Sequence, residues 1–198
     1  MTERVYIFKG FERFWHWAQA VLVLCLMFTG FETHGSFAAL GFQKAVELHT
    51  LAAWSLLGLW VFAVFWHLTT GEWRHYIPTT EKLMVMARFY ASGIFRHEPH
   101  PYRPTSQSKH NPLQRLTYLL ILVLVSPLLW ISGVLYLFQD RWAAWGWHAL
   151  QLSWVATAHT AGAFLMLAFF ITHIYMITTG HTLFSQTRAM LTGWEEVH

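Results

Sequence analysis

Apolar residues gather in four long runs, at about 14–31, 48–68, 115–138 and 154–178, separated by polar connections. Each run approaches or exceeds the ~20 residues an α-helix needs to cross the hydrocarbon core of a bilayer. The pattern therefore predicts an all-α membrane protein, a four-helix bundle over 1–198 as one domain. The first run is the shortest. It opens on Phe14-Trp15-His16-Trp17 with no small-residue cleavage site soon after, so it reads as a span and not as a signal peptide. Ser126-Pro127 predicts a kink in the third span. Between spans two and three, segment 81–95 puts Leu83, Met86, Ala87, Tyr90 and Ile94 on one helical face with Arg88 off it. That spacing predicts an amphipathic helix lying on the membrane surface, with a solvated loop helix as the alternative. Segment 97–112 carries four prolines and reads as an extended return to span three. The stretch from Arg141 to Trp147 reads as an interfacial aromatic segment.

Composition agrees. The chain is 55% hydrophobic and 12% charged, with a mean hydropathy of +0.35, too apolar for a soluble domain of 198 residues. The pI near 9.2 suggests nucleic acid until the basic residues are mapped. They are spread over loops, and that spread reports topology, so no nucleic-acid partner is expected. Eleven of the 13 Lys and Arg flank span one's start, the 69–114 loop and the tail; only Lys44 and Arg141 lie on the other side. Positive-inside then puts both termini and the long loop, with its surface helix, in the cytoplasm. The chain is expected to cross its membrane four times. Cys25 is the single cysteine, so there is no disulfide framework, no covalent haem attachment and no cysteine-ligated iron–sulfur cluster.

The chemistry lies in the histidines. His159 and His173 are fourteen residues apart in the fourth span. At about 100° per residue they share a face, and at about 1.5 Å rise they lie roughly 21 Å apart. Ionisable side chains at such depth are functional candidates, and two on one face suggest two stacked bis-histidine haems. Depth sorts the others. His49 matches the outer level of His159, and His16 matches the inner level of His173. His67, eighteen residues after His49 and on the same side, competes with His16 as the inner ligand. Depth favours His16, because Leu68-Thr69-Thr70-Gly71 already leaves the membrane. Gly30, Gly58, Gly133 and Gly162 are small residues that let a macrocycle approach backbone. His34, His148 and His181 sit at span ends; His75, His97, His100, His110 and His198 fall in loops or the terminus.

These residues also carry a resemblance. In order they are Phe11-Glu12-Arg13 with His16-Trp17, Thr29-Gly30, His49, and His110-Asn111-Pro112-Leu113-Gln114. Then come Ser132-Gly133-Val134, His159 with Gly162, His173-Ile174-Tyr175-Met176, and Met190 with Gly193. The chain resembles the dihaem cytochrome b subunits of formate dehydrogenase, nickel–iron hydrogenase and thiosulfate reductase complexes, and related stand-alone dihaem cytochromes b. The resemblance implies two haem b groups, held by His16 with His173 and by His49 with His159. It also implies a quinone site, for menaquinone or ubiquinone, at the start of span three, where Asn111 and Gln114 match the family's polar positions. Asn111 reads equally as a helix N-cap before Pro112. Lys109, His110 and Arg115 read as surface anchors, with proton transfer or contact with haem propionates as the alternative. The chain departs from the family in its short tail after span four and its aromatic outer segment, the places that bear on partner identity.

The expected function is electron transfer between an outward-facing redox partner, such as an iron–sulfur or cytochrome c protein, and the quinone pool. The chain would be the electron-transfer subunit of a quinone-linked oxidoreductase complex, contacting lipid throughout. Two alternatives stay open: a stand-alone dihaem quinone oxidoreductase, and a haem-free transporter using its histidines for protons or metal. Spans two and four share His-Thr near their starts and Thr-Thr-Gly at their ends, a weak sign of duplication.

Overall fold

The computed structural model describes every residue except 1, 2, 97, 100, 103, 104, 106, 107, 181 and 198. His97, His100, His181 and His198 thus lie outside the described residues, as does Arg103. In chain order the elements are β1 (Glu3–Tyr6), α1 (Gly10–Thr33), α2 (Phe42–Thr70), α3 (Leu83–Arg88), α4 (Pro112–Leu120), α5 (Ser126–Leu137), α6 (Leu152–Ile177), α7 (Ser185–Thr192) and β2 (Trp194–Val197). The fold is all-α, and four helices are long and apolar enough to cross a membrane: Gly10–Thr33, Phe42–Thr70, Pro112–Leu137 and Leu152–Ile177. Val21, Phe65, Val123 and Ile171 on these helices are exposed, as expected where lipid is the solvent.

The chain forms two compact units. The first comprises Met1–Ile77, Tyr102–Lys109 and Gly180–His198, built on the α1–α2 hairpin. Helix α1 starts where the Lys9 backbone N–H donates to Glu12 Oε2 at 2.7 Å, closing an orphan donor of the first turn. At its far end Glu32 turns back on the connection: its Oε1 accepts from the backbone N–H of Ala39, Leu40 and Gly41, which fixes the entry to α2. The chain ends are tied together by β1 and β2, antiparallel, with Tyr6 opposite Trp194 and their rings 5.2 Å apart. Gly193 makes this closure possible. Its φ is +88°, and a Cβ there would meet Phe8 O at 2.7 Å.

The second unit comprises Pro78–Pro101 and His110–Thr179, built on α5 packed against α6. The third span starts at a complete capping box. Asn111 Oδ1 accepts from Gln114 N, and Gln114 Oε1 accepts from Asn111 N, both at 2.9 Å, with Pro112 at the first helical position. The disturbance expected at Ser126-Pro127 takes the form of a π turn over Ile121–Val125, between α4 and α5. Pro127 has no N–H to donate and its ring crowds the carbonyl four residues back, so the preceding turn widens.

The segment expected as one amphipathic helix is α3, then a π turn (Phe89–Gly93), then a 3₁₀ turn (Ile94–Arg96). Met86 is fully buried and Arg88 exposed, as the spacing predicts. Phe89, off the predicted face, is buried as well, because the π turn advances the phase of the residues it contains. In the aromatic connection Trp142 is buried and its Nε1–H donates to Leu135 O at 3.1 Å, whereas Trp145 and Trp147 are exposed. Only the latter pair has the exposure expected of an interfacial belt.

Candidate functional site

Each unit contains the same three-part device. In the first, Thr29 on α1 is fully buried and its hydroxyl donates to Cys25 O at 2.7 Å. A hydroxyl has one hydrogen, so Thr29 Oγ1 receives the hydrogen bond it shares with His49 Nδ1 at 2.9 Å. His49 is thereby the Nδ1–H tautomer, with its lone pair on Nε2. The next residue is Gly30, where a Cβ would lie 3.4 Å from His49 Cε1. In the second unit Ser132 on α5 donates its hydroxyl to Leu128 O and lies 3.0 Å from His159 Nδ1. The same logic gives His159 Nδ1–H and an Nε2 lone pair. Gly133 follows, where a Cβ would lie 3.2 Å from His159 Cε1. A hydroxyl residue followed by glycine on one helix thus seats an imidazole from the next, twice.

This donor chemistry fits a haem iron. An axial imidazole needs a neutral ring, a fixed orientation and Nε2 available, and a hydrogen bond at Nδ1 supplies all three. Among the described residues no group of three or more His, Cys, Asp or Glu is placed to hold a bare metal ion. A porphyrin needs only two protein ligands, because its own nitrogens fill the plane. Of the other two small residues, a Cβ at Gly162 would lie 3.0 Å from the Leu129 side chain, so this glycine serves helix packing, while a Cβ at Gly58 would meet nothing within 4 Å.

His16 and His173 are each half-buried, on α1 and α6, and Phe169 stacks on His173 with centroids 5.8 Å apart. His67 is different. It is 8% exposed, its Nδ1–H donates to Ala63 O on its own helix at 2.7 Å, and the rings of Trp15, Trp66 and Tyr76 stand edge-on about it at 5.0–5.2 Å. That bond leaves the His67 lone pair on Nε2, a buried atom with no hydrogen-bond partner among the described residues, so a ligand role stays open to it as to His16. His34 and His148 are exposed.

Asn111 and Gln114 do stand together, but their side-chain oxygens are committed to the capping box. One lone pair of each oxygen is used there, and each residue also carries its amide NH2. Asn111 Nδ2 donates to the hydroxyl of Tyr90, on the π turn, at 3.2 Å. His110 is buried, with Tyr118 edge-on at 5.1 Å, so it is a core ring and not a surface anchor.

Lys109 is the larger correction. Its side chain is 3% exposed, and its Nζ donates to Glu12 Oε1 at 2.8 Å, Glu12 Oε2 at 2.9 Å and Glu72 Oε2 at 2.6 Å. Lys9 Nζ adds a bond to Glu72 Oε1, and His75 Nε2 lies 3.3 Å from Glu72 Oε2. Burial pushes the Glu72 carboxyl up, but hydrogen bonds from Lys109 and Lys9 outweigh it and hold the group at about 2. Lys9 is raised in turn by its bond to Glu72. A buried ion cluster therefore joins the start of α1, the turn after α2 (Glu72–Tyr76) and the residue two before Asn111. The available signal was an acid at each of two span ends, Glu12 and Glu72, and a lysine just ahead of the third.

Residues 7–193 match the model of a family described as prokaryotic cytochrome b561. A protein of Escherichia coli (strain K12) named "Putative cytochrome YdhU" is 31% identical over 199 residues, spanning 97% of this chain and 75% of the relative. No solved structure matches. With a family match over nearly its whole length and four helices able to cross a bilayer, the chain belongs to the prokaryotic cytochrome b561 family and is a multi-pass bacterial membrane cytochrome b of electron transfer.

Proposed function

We propose that this chain is a dihaem cytochrome b of the inner membrane, passing electrons between an outward-facing redox protein and the quinone pool. The observation that carries the reading is the pair of locked imidazoles, His49 on Thr29 and His159 on Ser132. We assign them to one haem near the outer face, and His16 with His173 to a second near the inner face. When bound, the haems would supply two one-electron stations between the outer partner and the quinone. The residues do the rest. Thr29 and Ser132 hold ring orientation and tautomer, and Gly30 and Gly133 let the rings lie against backbone. His67 stays a core ring. Asn111 and Gln114 offer amide donors to the carbonyls of a menaquinone or ubiquinone. With the positive-inside orientation that site would face the cytoplasm, and protons taken up on quinone reduction would come from there. The exposed Trp145 and Trp147 lie in the outward connection, where an iron–sulfur or cytochrome c partner would dock.

Single-histidine replacement tests the pairing. His49→Ala and His159→Ala each remove the same spectral component, and His16→Ala and His173→Ala each remove the other. His67→Ala keeps both. Loss of a component in His67→Ala, or any other pattern among the four, contradicts the assignment.

A further inference from the structure

Tyr90 is reached by none of the motifs that carry the family resemblance. It sits in the π turn Phe89–Gly93, and its ring reaches the start of the third span. There its hydroxyl accepts from Asn111 Nδ2 at 3.2 Å. The turn is pinned from the other side, because Tyr175 OH donates to the Tyr90 carbonyl oxygen at 3.3 Å. The phenol is half-buried, and burial raises it above the ordinary tyrosine range, against the smaller lowering effect of Asn111. It therefore keeps its proton at every physiological pH.

A quinone has two carbonyl acceptors and no donor, and its quinol has two O–H donors. A site that binds both forms needs a group able to give and to accept. In the capping box each amide oxygen already accepts one backbone hydrogen bond, so what Asn111 and Gln114 chiefly offer is their NH2 donors. A phenol supplies both functions. We propose that the Tyr90 hydroxyl is a third polar contact of the quinone site, hydrogen-bonding a ring oxygen of the quinone while it accepts from Asn111. This rests on the reading of Asn111 and Gln114 as the quinone site.

The test follows haem reduction by menadiol in the purified, haem-loaded full chain, over menadiol concentration, for wild type, Tyr90→Phe, Asn111→Ala and the double variant. Phenylalanine keeps the ring and its packing, and the reduced-minus-oxidised spectrum is expected to stay unchanged. Losing one hydrogen bond to a bound quinol raises the half-saturating concentration by up to about tenfold, with little change in limiting rate. The same factor is expected when Tyr90→Phe is made in the Asn111→Ala background. Tyr90→Phe within twofold of wild type, with Asn111→Ala impaired, overturns the Tyr90 contact and leaves the quinone site standing. A Tyr90 effect that disappears in the Asn111→Ala background also overturns it, because the phenol then only orients the amide. If menadiol fails to reduce the wild-type haems, or Asn111→Ala is without effect, the quinone reading itself falls and takes this proposal with it.

Discussion

Replacing Ser132 by alanine removes the oxygen that receives His159 Nδ1–H and leaves the ring, its helix and Gly133 in place. The bond is 3.0 Å long between a buried serine and a half-buried imidazole, so its loss leaves the Nδ1–H without that acceptor at a cost of up to about 1–3 kcal/mol. Losing a partner that orients a metal ligand typically weakens metal binding about 10–100-fold. The more informative effect is electronic. A hydrogen bond from Nδ1–H makes the imidazole a stronger donor, which favours the ferric state over the ferrous. If about 1 kcal/mol of the interaction discriminates between the two states, its removal raises the midpoint potential by about 40 mV, because a tenfold change corresponds to 59 mV for one electron. Thr29→Val does the same to His49, whose bond is 2.9 Å. The assay is potentiometric titration of the haem α-band, resolved into its components. Both substitutions are expected to move the same component upward and to leave the other where it was. Shifts in different components would show that His49 and His159 serve different haems. No shift in either variant, with full haem content, would refute the ligand-orienting role of the two hydroxyls.

Three further outcomes follow from geometry already described. Lys109→Met leaves Glu12 and Glu72 facing one another without their shared cation, and is expected to destabilise the protein by about 3–5 kcal/mol, read as lower thermal stability in detergent; an unchanged midpoint would mean the cluster is hydrated and weak. Glu72 is held at about 2 against an ordinary 4.5, so its contribution is complete above about pH 5 and is lost as pH falls toward 2. That amounts to about 3 kcal/mol, and Glu72→Gln should flatten the acid limb of a stability–pH profile; a profile for Glu72→Gln that runs parallel to wild type would remove Glu72 from the account. Gly133→Val places a branched side chain where even a Cβ sits 3.2 Å from His159, and is expected to abolish one haem while the other remains, counted by absorbance.

Much of this was legible in the sequence for definite physical reasons. Hydropathy and helical rise located four spans, because nothing in a bilayer core offers the backbone a partner outside its own helix. Asn111-Pro112 announced its cap because Pro tolerates only the first turn. Hidden features were those that depend on contacts between distant positions. Lys109 reaches Glu12 across 97 residues and Glu72 across 37, and no local pattern pairs them. Strands β1 and β2 are four residues each and join the two ends of the chain. Thr29-Gly30 and Ser132-Gly133 were visible as dipeptides, but their meaning required seeing which ring each hydroxyl meets. Once seen, they extend the duplication hinted at by the shared His-Thr and Thr-Thr-Gly of spans two and four, since each hairpin repeats hydroxyl, glycine and histidine. The π turn at Phe89–Gly93 was hidden because it breaks the 3.6-residue period from which a helical face is read.

The central claim is that four histidines on these helices hold two haems. The most direct measurement is a pyridine haemochrome count on the purified chain, together with its dithionite-reduced minus oxidised spectrum. Two b-type haems per chain are predicted. One haem would break one of the two histidine pairs, and none, from cells well supplied with haem, would contradict the dihaem account altogether.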